Sequence, residues 1–271
     1  VMNFFAELTF SPELWHYPFK HLPEGLWTSA LVGITCGVLG CFVVLRRMAL
    51  IGDALSHAIL PGVVIAFLIS GNTGVWGLLF GALLAGLMTA VFINVVSQNS
   101  RTKEDSAIGI VFTALFALGL ILISNLPQGT HFDLKCFVFG LPDAVSVEEM
   151  QLMAVIAALV IGTIVLLYHP LKLVSFDPVV ATAMGIPVLF FHYLLMGMIS
   201  ATVVAGLKTT GVILVVAMVI TPASAAYQLT NRFSRMLLLA GLFGGLSAIL
   251  GMILAFVINA PSGPSMVLVA T

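Results

Sequence analysis

Long apolar segments alternate with short polar stretches along the whole chain. A helix of about 20 mostly apolar residues is long enough to cross a lipid bilayer. Eight segments are of this kind: residues 26–45, 50–70, 75–97, 106–124, 151–168, 188–207, 211–228 and 236–259. The last apolar run, Ser265 to Thr271, is too short to cross, and we expect it to open a ninth span that is truncated here. The pattern predicts an all-α, polytopic membrane helical bundle with about eight to nine transmembrane helices.

The basic residues between these spans predict how the chain lies in the membrane. Seven of them follow the odd-numbered spans: Arg46, Arg47, Arg101, Lys103, Lys172, Arg232 and Arg235. Three lie at the opposite ends: Lys20, Lys135 and Lys208. Because short cytoplasmic loops are enriched in Lys and Arg, we expect the seven in the cytoplasm. The N-terminus and the loop at 125–150 are then outside.

Residues 1–25 differ from the spans. They mix aromatic side chains with acidic residues and prolines, and they lack the apolar core and the small-residue cleavage site of a signal peptide. Such a mixture is typical of a segment that lies in the membrane interface. We therefore divide the chain into an N-terminal interfacial segment, 1–25, and a transmembrane domain, 26–271.

The composition excludes several classes of protein. Hydrophobic residues make up 61% of the chain, charged residues 8%, and the mean hydropathy is +1.18. Soluble proteins carry about 25% charged residues, and the net charge of −1 leaves no basic surplus for nucleic acid. The sequence contains no phosphate loop, no nucleophile elbow and no H-E-x-x-H motif. We expect a membrane protein that is not an enzyme by itself.

An ionisable pair stands out inside the second span. Asp53 and His57 are four residues apart and project from the same helix face. A carboxylate in a bilayer is costly unless it faces protein, water or a cation. Carboxylate oxygen beside imidazole nitrogen is half of a divalent-metal site. A hard divalent ion takes about six donors, and a second copy of the chain, related by a two-fold axis, could supply another Asp and His.

The same pair also has a structural interpretation. Asp53 in the first turn of its helix would be stabilised by the helix dipole, with an arginine as its partner. His57 would then be a packing residue. The residue pattern leaves both interpretations open.

The stretch from Arg46 to Gly62, RRMALIGDALSHAILPG, closely resembles the signature of the permeases of metal-ion ABC importers, which take up manganese, zinc or iron in bacteria. The likeness continues in SFDP at 175–178 with Ala181 and Gly185, in TGVIL at 210–214, in ITPA at 220–223 and in PSGP at 261–264. It covers the chain from about residue 26 to the end. It implies a type II ABC importer-like permease in the bacterial plasma (inner) membrane, with Asp53 and His57 as metal ligands along the translocation path.

The resemblance also implies partners and a substrate. The partners are a second copy of the chain, two cytoplasmic ATP-binding subunits, and an extracellular or periplasmic metal-binding protein. No cofactor is bound permanently. The metal is the transported substrate, with Mn²⁺ as the first choice and Zn²⁺ or Fe²⁺ as alternatives.

A second segment, 174–187, follows Lys172 on the predicted inner side. Asp177-Pro178 can open a short helix with proline at its first position, and Ala181 and Gly185 are four apart and small enough for a partner to approach. An ordinary loop between spans is the structural alternative. Resemblance to the coupling helix of ABC permeases favours docking of Asp177, Pro178, Ala181 and Gly185 onto the ATPase.

Helix breakers lie around the seventh predicted span, at Thr210-Gly211 and Thr221-Pro222. Such interruptions are tolerated in a bilayer where they are buried or line a cavity. A gate and a simple kink both fit this pattern.

Two other hypotheses compete with the importer. An ion- or proton-coupled secondary transporter would use Asp53 and His57 as a proton relay, need no ATPase, and contain an inverted repeat, which the sequence does not show. In a purely structural membrane subunit, Asp53→Asn would leave transport intact.

Overall fold

A computed structural model describes residues 22–48, 50–70, 75–101, 104–124, 145–258 and 260–271. The helices are α1 (Leu22–Leu45), α2 (Leu50–Ala58), α3 (Leu60–Ser70), α4 (Val75–Asn99), α5 (Glu104–Ser124), α6 (Val147–Leu166), α7 (Tyr168–Phe176), α8 (Pro178–Ala183), α9 (Val188–Leu229), α10 (Phe233–Ile258) and α11 (Ser262–Ala270). Two predicted features lie mostly outside the described residues. They are the interfacial segment, of which residues 1–21 are not described, and the 125–150 loop, of which residues 125–144 are not described.

The predicted membrane spans are confirmed. In the described ranges, seven helical segments are long and apolar enough to cross a membrane, and an eighth apolar segment, Leu214–Leu229, is shorter. Together they match the eight segments expected from the sequence. The final apolar run belongs to the nine-residue α11, which packs against α9 and α10.

Helix α1 lies at the centre of the bundle, between α10, α9 and α6. Three of its glycines let neighbouring backbones approach closely. A Cβ atom at Gly33 would overlap the backbone of Gly244, and one at Gly37 would overlap Ala240. One at Gly40 would overlap the carbonyl of Val219. Small residues of this kind drive helix packing in bilayers, and Gly62 and Gly81 form an equivalent contact between α3 and α4.

Helix α9 folds back on itself. Near its start, His192 lies 3.2 Å from Arg46, and just past its end the ring of Phe233 lies 5.1 Å from that of Phe42. Phe42 and Arg46 are one turn apart on α1, whereas a straight helix of this length would separate its ends by about 60 Å. The reversal occurs at Gly211, whose φ of 72° and ψ of 163° are accessible almost only to glycine. The predicted break there is confirmed.

One end of the bundle gathers the basic positions. The ring of Tyr168 stacks on Phe233 at 5.9 Å, so Lys172 and Arg232 lie at the same end as Arg46. The amide of Asn94, in the last turns of α4, donates to the hydroxyl of Tyr193 on α9, which brings the end of α4 there too. The charge pattern predicts this grouping.

Candidate metal site and coupling segment

A tight turn connects α1 directly to α2. The amide of Arg47 donates to the carbonyl of Val44 and the amide of Met48 to that of Val43, both at 3.1 Å. This is a Schellman motif, in which glycine usually occupies the left-handed position. Here Arg47 occupies it, with φ 57°. The amide of Ile51 then donates to the carbonyl of Met48 at 3.0 Å, which ties the turn to the first turn of α2.

Asp53 and His57 lie together on α2. The Nε2 atom of His57 is 3.5 Å from Oδ1 of Asp53. The side chain of His57 is 27% exposed and that of Asp53 48% exposed. Both residues belong to the apolar membrane segment Ile51–Ile69. A half-exposed carboxylate therefore lies within an apolar membrane segment.

The imidazole of His57 is held by aromatic rings of α5. Its ring centre lies 5.6 Å from that of Phe112 and 5.1 Å from that of Phe116, the second in an edge-to-face arrangement. Such contacts favour one ring orientation. One turn further on, Pro61 has no amide hydrogen to donate to the carbonyl of His57. The predicted span 50–70 is accordingly broken at Ile59 into α2 and α3. The proline signals this division, but the sequence analysis did not identify it.

The pair is not a complete metal site within the described chain. No group of three or more His, Cys, Asp or Glu side chains is close enough there to hold a metal ion. Asp53 does lie in the first turn of α2, as the structural interpretation expects. The guanidinium of Arg46, however, contacts Ser175 and His192. The geometry provides one carboxylate and one imidazole for a divalent ion.

Residues 174–187, the predicted coupling segment, contain the short helix that the sequence predicts. Asp177 caps α8, because its Oδ1 accepts from the amides of Val179 at 3.1 Å and Val180 at 3.0 Å. Pro178 occupies the first helical position, where its missing amide hydrogen is not needed. The cap fixes the direction in which α8 leaves α7.

The structure places Ala181 and Gly185 in different surroundings. Ala181 is 0% exposed and packs inside the protein, so a partner cannot reach its side chain. Gly185 lies beyond α8 with φ 78°. The amides of Gly185 and Ile186 donate to the carbonyls of Thr182 and Ala181, both at 3.0 Å. Gly185 is therefore the left-handed cap of a Schellman motif. The left-handed cap alone explains why a glycine occupies position 185, without a partner that approaches it closely.

Most of the surface that α8 presents is apolar. Six large apolar side chains on and around it are exposed: Phe176, Val179, Val180, Met184, Leu189 and Phe190. The polar residues Asp177 and Thr182 are exposed as well. A cluster of this kind at a helix end marks an interaction surface more often than a solvated loop. Sequence reasoning pointed to the small residues and missed these larger ones, because a six-residue helix is too short for a hydrophobic period to show its exposed face.

Comparison with known proteins identifies the family. Residues 18–271 match the model of the ABC 3 transport family. The chain is 51% identical over 253 residues to the "Manganese transport system membrane protein MntC" of Halalkalibacterium halodurans, covering 93% of this chain and 85% of that protein. It is 40% identical over 250 residues to the "Manganese import system permease protein ScaB" of Streptococcus parasanguinis, covering 92% and 87%.

Solved structures agree with this assignment. The structure titled "PsaBC from Streptococcus pneumoniae in complex with Fab" matches with a TM-score of 0.83 and 38% identity, covering 93% of this chain and 88% of that one. An inward-facing putative metal-chelate type ABC transporter matches with a TM-score of 0.70 and 18% identity, covering 91% and 82%, which supports the fold alone. The resemblance carried by Arg46 to Gly62 is thus confirmed, as is the multi-pass membrane fold. The chain belongs to the ABC 3 transport family.

Proposed function

We propose that this chain is the permease subunit of an ATP-driven importer of manganese. The observation that carries the proposal is the partly exposed Asp53–His57 pair within an apolar membrane segment. Ionisable side chains in a membrane segment cost free energy, and they usually mark a pathway for an ion or a proton. Relatives named for manganese transport favour the ion.

The pair acts in a homodimer. One chain offers a carboxylate and an imidazole, whereas a divalent ion takes more donors than two. A two-fold axis that brings the α2 helices of two copies together would double the donor set. It would also cover the exposed half of the Asp53 side chain, which a lipid tail cannot solvate.

ATP hydrolysis belongs to two separate cytoplasmic subunits. The chain has no phosphate-binding loop, and the exposed apolar side chains around α8 are a suitable docking surface. Asp177 and Pro178 set the position of α8, Gly185 ends it, and Ala181 anchors it to the bundle. Closure of the ATPase dimer would move α8 and alternate the access to the metal pair.

Metal reaches the opposite end of the bundle from an extracellular or periplasmic binding protein and is carried as substrate, with no permanently bound cofactor. Manganese is preferred over zinc and iron. A carboxylate suits Mn²⁺ and an imidazole also suits Zn²⁺ and Fe²⁺, so the selectivity depends on the geometry of the assembled site.

The test is Mn²⁺ accumulation in cells that lack their own importer and express this chain with its ATP-binding subunit and binding protein. We expect Asp53→Asn and His57→Gln to lower uptake at limiting Mn²⁺ by about tenfold or more. The first replaces an anionic carboxylate by a neutral amide, and the second replaces the imidazole nitrogen by an amide group. Ser56→Ala is the matched control. Ser56 lies on the same helix, its hydroxyl donates to the backbone carbonyl of Asp53, and its variant should transport like wild type.

Each variant must still reach the membrane and co-purify with the ATP-binding subunit. Unchanged uptake in Asp53→Asn or His57→Gln would remove that residue from the site. Full uptake without any ATP-binding subunit would replace the importer by an ion-coupled secondary transporter.

A further inference from the structure

Arg46 holds the coupling segment at both of its ends. Its Nε atom donates to Oγ of Ser175 at 3.4 Å, and its Nη1 atom lies 3.2 Å from Nδ1 of His192. Ser175 lies in the last turn of α7, directly before α8. His192 lies in the first turns of α9, directly after it. One guanidinium thus bridges the two helices between which α8 is inserted.

The chemistry of these contacts assigns the donor and the acceptor. Arginine has only donors, so Nδ1 of His192 accepts and the imidazole proton lies on Nε2. Ser175 is buried, and its hydroxyl donates to the carbonyl of Leu171 at 2.8 Å. The arginine therefore contacts a serine that is itself fixed to the backbone of α7. Lysine could not replace this planar fork, since its single ammonium has no fixed geometry.

On its other side, Arg46 is joined to the helix of the metal pair by the turn at Arg47. Arg46 caps α1, and the hydrogen bonds of Arg47 and Met48 close the Schellman motif that leads into α2. Asp53 follows Arg46 by only seven residues. A displacement of α7 and α9 around α8 is thereby communicated to the first turn of α2 through one side chain and one hydrogen-bonded turn.

We propose that Arg46, with Ser175 and His192, is the positioning cluster that couples movement of α8 to the metal pair on α2. This inference rests on the proposed function, since it assigns the connection between ATPase docking and the metal site. Arg46 contacts neither metal nor nucleotide in this scheme. Its loss should separate ATP hydrolysis from transport and leave both sites otherwise intact.

The experiment uses the assembled complex of this chain with its ATP-binding subunit and binding protein in proteoliposomes. Mn²⁺ uptake and ATP hydrolysis are measured on the same samples. We expect Arg46→Lys and His192→Leu to assemble and hydrolyse ATP, while the Mn²⁺ transported per ATP falls about tenfold, the effect of losing one hydrogen bond to a charged group. Arg46→Lys keeps the positive charge of this end and so preserves the membrane orientation.

Two further variants separate coupling from simple stability. His192→Asn retains an acceptor near the position of Nδ1 and should recover most of the Mn²⁺ transported per ATP that His192→Leu loses. Arg47→Asn removes the neighbouring exposed charge at a left-handed position that asparagine tolerates, and it should remain coupled like wild type.

The outcomes distinguish this inference from the proposed function. If wild type transports Mn²⁺ and the Arg46 and His192 variants show the wild-type ratio of transport to hydrolysis, the cluster has no coupling role. Equal ratios in His192→Asn and His192→Leu would also overturn the inference. If the wild-type complex itself takes up no Mn²⁺, the proposed function fails first.

Discussion

The contact between Gly33 and Gly244, where α1 crosses α10, allows a sharp test of the packing. A Cβ atom on Gly33 would lie 2.7 Å from the carbonyl carbon of Gly244 and 3.2 Å from Cβ of Ala248, and it would overlap the Gly244 oxygen. Ordinary contact begins at 3.4 Å. Gly33→Ala therefore forces α1 and α10 apart by roughly 0.7 Å to relieve the carbon contact, and by about 1 Å to relieve the overlap with the oxygen.

The cost follows from the size of that displacement. A gap of 0.5–1 Å removes roughly a quarter to a half of the van der Waals attraction across the crossing, and overpacking typically costs about 1–3 kcal/mol. The higher helix propensity of alanine returns up to about 1 kcal/mol. We expect a net destabilisation of about 1–2 kcal/mol, which corresponds to a thermal midpoint lower by roughly 2–8 °C for a chain of this size.

Gly162→Ala is the matched control. Gly162 lies in α6, and a Cβ atom there would meet no heavy atom within 4 Å, so only the propensity gain remains. The assay is the loss of the monodisperse peak on heating in detergent, at one heating rate because such midpoints depend on it. A Gly33→Ala midpoint at or above that of Gly162→Ala would refute the close crossing.

A double variant tests whether both glycines serve the same contact. A Cβ atom on Gly244 would overlap the carbonyl of Gly33, so Gly244→Ala meets the same obstacle from the other side. Once one alanine has separated the helices, the second should cost less. The midpoint of Gly33→Ala/Gly244→Ala should therefore fall by less than the sum of the single effects, and additive effects would show that the two glycines act independently.

Three backbone features give further predictions for the same thermal assay. Gly211→Ala should lower stability by about 1–3 kcal/mol, because the φ and ψ at the α9 reversal are strained for any other residue; a midpoint equal to wild type would place the reversal elsewhere. Arg47→Gly should raise stability by about 0.5–1 kcal/mol, as relief of the left-handed strain outweighs the added chain entropy; a lower midpoint would contradict this. Ser146→Ala should cost about 1 kcal/mol, since it removes the capping box that Ser146 forms with Glu149 at the start of α6; an unchanged midpoint would mean that water caps the helix equally well.

Membrane spans and helix contacts differ in how far the sequence predicts them. A span is a property of one segment, so length and hydropathy located all eight. Glycines favour close helix packing in a bilayer, and three of those in α1 lie at such contacts. Their partners, Gly244, Ala240 and Val219, could not be named, since which helices cross depends on the whole bundle.

The site shows the same division. Asp53 and His57 were found because four residues make one helical turn. The rings of Phe112 and Phe116 come from another helix, and no spacing in the sequence relates them to His57. Arg46 and His192 are 146 positions apart, so their contact was also beyond a local pattern. Pro61 was a local signal for the break between α2 and α3, and the sequence analysis did not use it.

The turn at Arg47 explains why Asp53 and His57 lie so near the basic end of the bundle. Along α2, His57 is about 10 Å from Leu50 at 1.5 Å per residue. In the proposed mechanism, a movement of α8 therefore has to travel only about two helical turns along α2 to reach Asp53 and His57. A flexible connection would absorb such a movement, whereas a Schellman turn with three backbone hydrogen bonds around it would transmit the movement under our proposal. A left-handed arginine is a costly way to make that turn. This turn keeps both Arg46 and Arg47 at the basic end of the bundle. It also places the guanidinium of Arg46 against Ser175 and His192, on either side of α8.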